Sequence, residues 1–276
     1  MWKGKEKEPV FLFLLLIIIF WVISFVILKL LQPYSVEYTE SGNLTVGYIA
    51  YAVIGLIFTT PAPFLSMLIL SLGKRKITLK EFFVRIFYTE KPVNTIIITG
   101  FLCGLAMIFA LVNGKPNGSP WYIMPLGFLL MIPFVGIAEE TGWRGFLQPA
   151  IDKKVKYPFS VFIVSAIWLV WHIDQWFDTT SRHYGDSFLG FAIMIFIWAF
   201  ALAALYKATE SVIACAVYHA FIDSIGAVYD WNSLFDAFPG NTAINLYRIT
   251  VLLISVALWI YSAKNRKIGT DTKKRY

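Results

Sequence analysis

The sequence predicts an all-α polytopic membrane protein, a bundle of about eight transmembrane helices, and three observations carry that prediction. Of the 276 residues, 58% are hydrophobic and only 15% are charged, a balance outside that of soluble domains. The apolar residues fall into runs suited to a hydrocarbon core that takes about 20 residues to cross. The basic residues fall in alternate connections between those runs, as the positive-inside rule requires.

Val10–Leu31 is the first run. It is too long for a signal-peptide core and no small-residue cleavage site follows it, so it is expected to be a retained span, with Lys29 snorkelling to the interface. Val46–Leu72 and Val93–Val112 come next, separated by the polar stretch Gly73–Lys91, whose "FFVRIFY" is expected to lie along the membrane surface. Tyr122–Ile137, with a continuation beyond it, Pro158–Ile173, Phe188–Tyr206, Val212–Val228 and Ile244–Ala263 complete the set. Lys3, Lys5, Lys7, Lys74, Arg75, Lys76, Lys80, Arg85, Lys91, Arg144, Lys153, Lys154, Lys156, Lys207 and the tail lie on one side, against Lys115 and Arg182 on the other. Both termini are therefore expected in the cytoplasm, with the protein in the cell membrane. The same asymmetry accounts for the net charge of +7, so no nucleic-acid partner is implied. Without internal repeats or a low-complexity linker, residues 1–276 read as a single transmembrane domain. Cys103 and Cys215 fall inside apolar runs and read as inert buried thiols. Arg248, near the outer end of the last run, reads as a snorkelling residue, with substrate-carboxylate binding as the alternative.

Ionisable side chains within a bilayer are costly unless they face the bundle interior or water, and so mark functional positions. Those present are Glu139 and Glu140 in "GIAEETGWRG", His172 in "WLVWH", and His219 with Asp223 in "YHAFID". They sit on three separate runs, and the cheapest polar partner for each is another of the set. Glu140 and Arg144 are i,i+4 in the favourable order for an ion pair. Glu139 is turned about 100° from them, free to face a cavity. His219 and Asp223 share one face, as do Trp168 and His172. For Glu139 to reach the depth of the histidines, the fourth helix must continue past Arg144 toward Asp152, with a kink expected at Pro149. By this reckoning the site lies nearer the external half.

A carboxylate, two imidazoles and a further polar pair suit hydrolysis: the carboxylate takes a proton from water, and the remainder orients water or stabilises an oxyanion. The same Glu139, His172, His219 and Asp223 are also a possible zinc set, although no H-E-x-x-H is present. No G-x-S-x-G elbow and no nucleophile beside a histidine support covalent catalysis. A non-catalytic peptide-binding or immunity protein is the reading from a different class. A transporter is weaker, because paired broken spans are not evident.

"EETGWR" (Glu139–Arg144), "WLVWH" (Trp168–His172) and "HAFID" (His219–Asp223) together resemble the E-E-x-x-x-R, F-x-x-x-H and H-x-x-x-N/D motifs of the CAAX-protease and bacteriocin-processing (CPBP, or Abi) intramembrane proteases, which include the type II CAAX prenyl endopeptidases. The motif-bearing core runs from about residue 121 to 232. The resemblance implies an intramembrane endopeptidase that hydrolyses a peptide bond of a membrane-associated peptide or lipidated protein. Glu139 and His172 would activate water, His219 and Asp223 would form the oxyanion side, and Glu140, Arg144 and Trp168 would support them. Trp168 stands where the motif has Phe, an apolar packing position. Asp223 stands where prenyl endopeptidases have Asn, so it would be protonated, orient His219 or bind zinc.

Overall fold

The computed structural model describes residues 9–74, 76–181, 183–230, 235, 236, 238, 240 and 242–273. Lys3, Lys5, Lys7, Arg75, Arg182, Lys274 and Arg275, which entered the charge comparison, lie outside the described residues. The chain is an all-α polytopic membrane protein. Its helices are α1 (Val10–Ser41), α2 (Val46–Thr59), α3 (Ala62–Gly73), α4 (Leu79–Phe87), α5 (Pro92–Asn113), α6 (Ile123–Asp152), α7 (Phe159–Trp171), α8 (Phe188–Thr209), α9 (Val212–Ile225) and α10 (Thr242–Lys273).

Every expected apolar run is helical. Among the described residues, five helices are long and apolar enough to span alone, and α2 with α3 makes a sixth, bent by 48° at the break. The bend follows from Pro61 and Pro63, which cannot continue the ladder of the preceding turn. The helices that carry His172 and His219 are shorter, with 13 residues in α7 and 14 in α9. At 1.5 Å per residue each covers only about 20 Å, two-thirds of a hydrocarbon core. Neither is expected to cross on its own, and α9 is nearly enclosed by its neighbours.

Two boundaries depart from the sequence reading. Helix α1 runs ten residues past Leu31, to Ser41, with Pro33 inside it. Its added turns are held by the connection after α7: Gln32 donates to Asp178 Oδ1 at 2.9 Å, Ser35 to Thr180 Oγ1 at 2.9 Å, and Lys29 to the Phe177 carbonyl. Tyr51 also donates to Asp178. Helix α6 does continue to Asp152, and Pro149 does not break it. Wider turns at Ile132–Ile137 and Trp143–Leu147 have π-helical bonding, and the prolines sit where a missing N–H is absorbed: Pro133 early in the first wide turn, Pro149 just past the second. Such bulges insert a residue and turn the helix face locally. They bracket Ala138–Gly142, the stretch bearing both glutamates.

Two glycines let α6 sit against its neighbours. A Cβ on Gly136 would lie 2.2 Å from the Ala216 carbonyl oxygen of α9, and one on Gly142 would lie 2.4 Å from Pro63 Cβ of α3. Small residues permit this close approach of helices. The connections segregate by end. Strand β1 (Lys115–Pro116) pairs with β2 (Tyr229–Asp230) at one end, and Lys207 pairs with Asp152 at 2.6 Å at the other. Helix α4 begins with a capping box, Thr78 and Glu81 each satisfying the other's backbone N–H, and buries Phe82 and Ile86 while Phe83, Val84 and Phe87 stay exposed. The stretch is thus a short amphipathic helix. Cys103 and Cys215 are free thiols. Arg248 does not snorkel: it is buried, donating to the Asp236 carbonyl at 2.7 Å and to Met194 Sδ at 3.4 Å.

Candidate active site

A cavity of about 250 Å³ opens between α2, α6, α7, α8 and α9, and Glu139, His172, His219 and Asp223 all line it. The expected residues therefore meet. Glu140 and Arg144 stand behind the wall, both with fully buried side chains.

The adjacent glutamates have separate environments because one helical step turns them apart. Glu140 Oε1 accepts from Arg144 Nη1 at 3.0 Å and from His219 Nδ1 at 2.8 Å. The Arg144 guanidinium also lies 4.8 Å from the Trp168 ring centroid, within cation–π range. Glu139 faces the cavity. Its Oε2 accepts from two indoles, Trp168 Nε1 at 2.8 Å and Trp143 Nε1 at 3.3 Å. Oε1 has no hydrogen-bond partner among the described residues and is not among the buried, unpaired atoms.

His172 ends α7, and its Nδ1 lies 2.7 Å from the Trp168 carbonyl. A carbonyl only accepts, so the proton sits on Nδ1 and Nε2 keeps its lone pair. His219 gives its Nδ1 hydrogen to Glu140, and its Nε2 lies 3.8 Å from Asp223 Oδ2, an ion-pair separation too long for a hydrogen bond. The Asp223 side chain is about one-third exposed, at 32%, so water reaches it.

Trp168 corrects one expectation. Read as apolar packing, it is instead a hydrogen-bond donor at the centre of the cluster, and its ring stands edge-on to His172 and His219, with centroids 5.6 and 5.4 Å apart.

Further residues lie outside the sequence-derived set. Trp143 was visible as the i+4 neighbour of Glu139, but an indole there reads as core. Thr59 and Thr60, at the bend between α2 and α3, and Asp174, just after α7, line the cavity. His183, in the connection between α7 and α8, is buried, stacks on Trp176 with centroids 5.9 Å apart, and lines the cavity too. Its Nδ1 lies 2.9 Å from Asp186 Oδ2. The H-x-x-D spacing of "HYGD" was the signal available. All three histidines of the chain thus face one space. Arg248 does not line it.

The zinc reading needs three donors converging on one point. Among the described residues no group of three His, Cys, Asp or Glu does so. The Nδ1 atoms are held as those of ligating imidazoles commonly are, one on a backbone carbonyl and one on Glu140, so what is missing is the convergence of a third donor on their Nε2 atoms. The donor set as arranged does not fit zinc.

No match was found among curated proteins. Residues 120–225 match the family model described as Rce1-like, type II CAAX prenyl endopeptidase. The matched segment holds Glu139, Glu140, Arg144, Trp168, His172, His219 and Asp223, and over this stretch the chain is similar to the CAAX-protease family.

Proposed function

We propose that the protein is an intramembrane endopeptidase in which Glu139 activates water, with His172 as its partner and His219 with Asp223 on the oxyanion side. The observation that carries this reading is the cavity itself. Side chains from three helices converge on it, with one glutamate oxygen anchored by indoles and the other facing the space.

A water held between Glu139 Oε1 and the lone pair of His172 Nε2 loses a proton to the glutamate as its oxygen bonds to the peptide carbonyl carbon. The carbonyl oxygen takes up the electron pair and becomes an oxyanion. His219, doubly protonated and flanked by Glu140 and Asp223, donates to it from Nε2, while Glu140 holds the ring through Nδ1. Asp223, beside that nitrogen, serves by orienting His219. When the tetrahedral centre collapses, the C–N bond breaks and the proton held by Glu139 passes to the departing amine. Acid and amine leave, and the glutamate is again a carboxylate.

The substrate is a membrane-associated peptide or protein. A lipid-bearing one is supported by an apolar groove of about 390 Å³ between α1 and α7, lined by Leu14, Ile17, Ile18, Trp21, Ile167 and Val170. Trp171 is a wall of both groove and cavity. With the N-terminus cytoplasmic, the cavity faces the opposite side, since Asp174, Gln175 and His183 come from the connection after α7, whose Asp178 and Thr180 are bonded to Gln32 and Ser35 toward the far end of α1.

The test is cleavage of a membrane-peptide library by purified protein in liposomes, comparing wild type with Glu139→Gln, each with and without a chelator. Cleavage in the wild type, insensitive to chelation and reduced roughly 10²–10⁴-fold in the variant, is expected for a general base. Cleavage retained by Glu139→Gln removes the assignment of the base. Cleavage abolished by the chelator moves the histidines to metal ligands.

A further inference from the structure

We propose, on the basis of the proteolytic reading above, that Trp168 is the positioning residue of the water-activating pair: its indole N–H and its backbone carbonyl hold Glu139 and His172 at once. Three observations carry this. Trp168 Nε1 donates to Glu139 Oε2 at 2.8 Å, in a side chain that is only 1% exposed. The carbonyl of the same residue accepts from His172 Nδ1 at 2.7 Å. Trp143 Nε1 reaches the same Glu139 oxygen at 3.3 Å, so both indoles fix one oxygen and leave the other to the cavity.

The chemistry needs this arrangement. A carboxylate with both oxygens free rotates about its last torsion, and either oxygen can turn from the water. Two donors on one oxygen remove that freedom. The carbonyl likewise fixes the tautomer of His172, placing the lone pair on the nitrogen away from the helix. Since both anchors belong to one residue, Trp168 ties base and imidazole to a common frame, with Trp143 as a second, longer tether on the base. Phenylalanine at this position keeps the carbonyl and most of the packing but has no N–H, so the contribution of Trp168 to Glu139 is a feature of this sequence.

Trp168 acts through Glu139 and His172, and that makes it a positioning residue. Its effect is therefore expected in turnover and not in binding. Trp168→Phe should lower kcat roughly 10–100-fold with KM within about 2-fold of wild type, because misplacing a catalytic group by about 1 Å costs a factor of this order. Trp143→Phe, which removes the longer bond, should cost less. A side chain that merely fills space would instead lower the yield of folded protein, leaving kcat per folded molecule unchanged.

A second readout needs no substrate. In ¹⁵N-indole-labelled full-length protein in nanodiscs, the Trp168 N–H resonance is identified by its loss in Trp168→Phe. It is expected downfield among the ten tryptophans, moving upfield in Glu139→Gln and further in Glu139→Ala, as the charged acceptor is neutralised and then removed. A resonance indifferent to both substitutions overturns the bond and the proposal. So does unchanged kcat in Trp168→Phe. If wild type cleaves no peptide, the proteolytic reading fails and the positioning role falls with it, even where the indole still reports Glu139; kinetics and resonance thus separate the two failures.

Discussion

Neighbouring glutamates should respond oppositely to the same substitution. Glu140→Gln removes the counter-charge of Arg144, whose side chain is 0% exposed and whose Nη1 lies 3.0 Å from Glu140 Oε1. Glutamine still offers an oxygen to Arg144, but the guanidinium becomes a buried, uncompensated cation apart from its 4.8 Å stack on Trp168, a contact of about 0.5–2 kcal/mol. Breaking one side of a buried pair costs about 3–5 kcal/mol. At ~2–4 °C per kcal/mol, the scaling for larger domains, the thermal midpoint in detergent should fall by roughly 6–20 °C. Glu139→Gln behaves differently. Its amide oxygen accepts from both indoles, and a charged acceptor becomes a neutral one, a loss of about 1 kcal/mol. Removing a buried charge offsets part of that. The midpoint should therefore shift by no more than about 4 °C, while hydrolysis is lost.

The double variant Glu140→Gln/Arg144→Met isolates the pair. With both charges gone, it should be more stable than Glu140→Gln alone, giving a coupling of at least about 2 kcal/mol. The measurement is thermal or SDS-titrated unfolding of wild type, Glu139→Gln, Glu140→Gln, Arg144→Met and the double variant, with cleavage assayed on the folded fraction. Equal stability losses from Glu139→Gln and Glu140→Gln, or additive losses in the double variant, would refute the division of labour between the two carboxylates.

Gly136→Ala should separate α6 from α9, because the new Cβ would stand 2.2 Å from a backbone oxygen that cannot turn aside; an overpacking loss of about 1–3 kcal/mol is expected by thermal unfolding, with a larger proportional loss of cleavage, since Glu140 and His219 face each other across the same two helices. Asp178 holds the connection after α7 to α1 and α2, and although burial pushes its carboxyl up, the hydrogen bonds from Tyr51, Thr180 and Gln32 prevail and hold it below its ordinary value. A depressed carboxylate stabilises the fold above its unfolded-state value, about pH 3.9, and the benefit is lost only as pH falls through the lower folded value. Limited proteolysis should thus find this connection protected at neutral pH and exposed in strong acid, and Asp178→Asn should weaken that protection at neutral pH.

The apolar helices, their order and the meeting of Glu139, His172, His219 and Asp223 at one cavity were legible because each rests on a local signal. Apolar runs give spans directly, and carboxylates and histidines inside them stand out because burying them unpaired is expensive. Helical spacing gave the Glu140–Arg144 pair and the outward turn of Glu139. The unread features depend on contacts that spacing does not encode. Pro149 predicts a kink only where the turns around it are α-helical, and a wide turn immediately before it absorbs the missing bond. Arg248 near a span end reads as snorkelling unless the connection before the helix approaches it, and here the Asp236 carbonyl lies at 2.7 Å.

Trp168 shows why an aromatic position is hard to read. Trp and Phe are nearly equivalent by area and apolar character, so a motif position occupied by either signals packing. The indole N–H becomes consequential only when an acceptor lies opposite, and that acceptor, Glu139, is 29 residues away on another helix. The wide turns bracketing Ala138–Gly142 set the face that Glu139 presents, and α7 ends at His172, just past Trp168, so the Trp168 carbonyl can accept from the His172 ring. Remove either feature and the tryptophan returns to being packing. The polar centre of this cavity therefore arises from two backbone irregularities and the indoles of Trp168 and Trp143, with the carboxylate and imidazole that the sequence announces held in place by residues it does not.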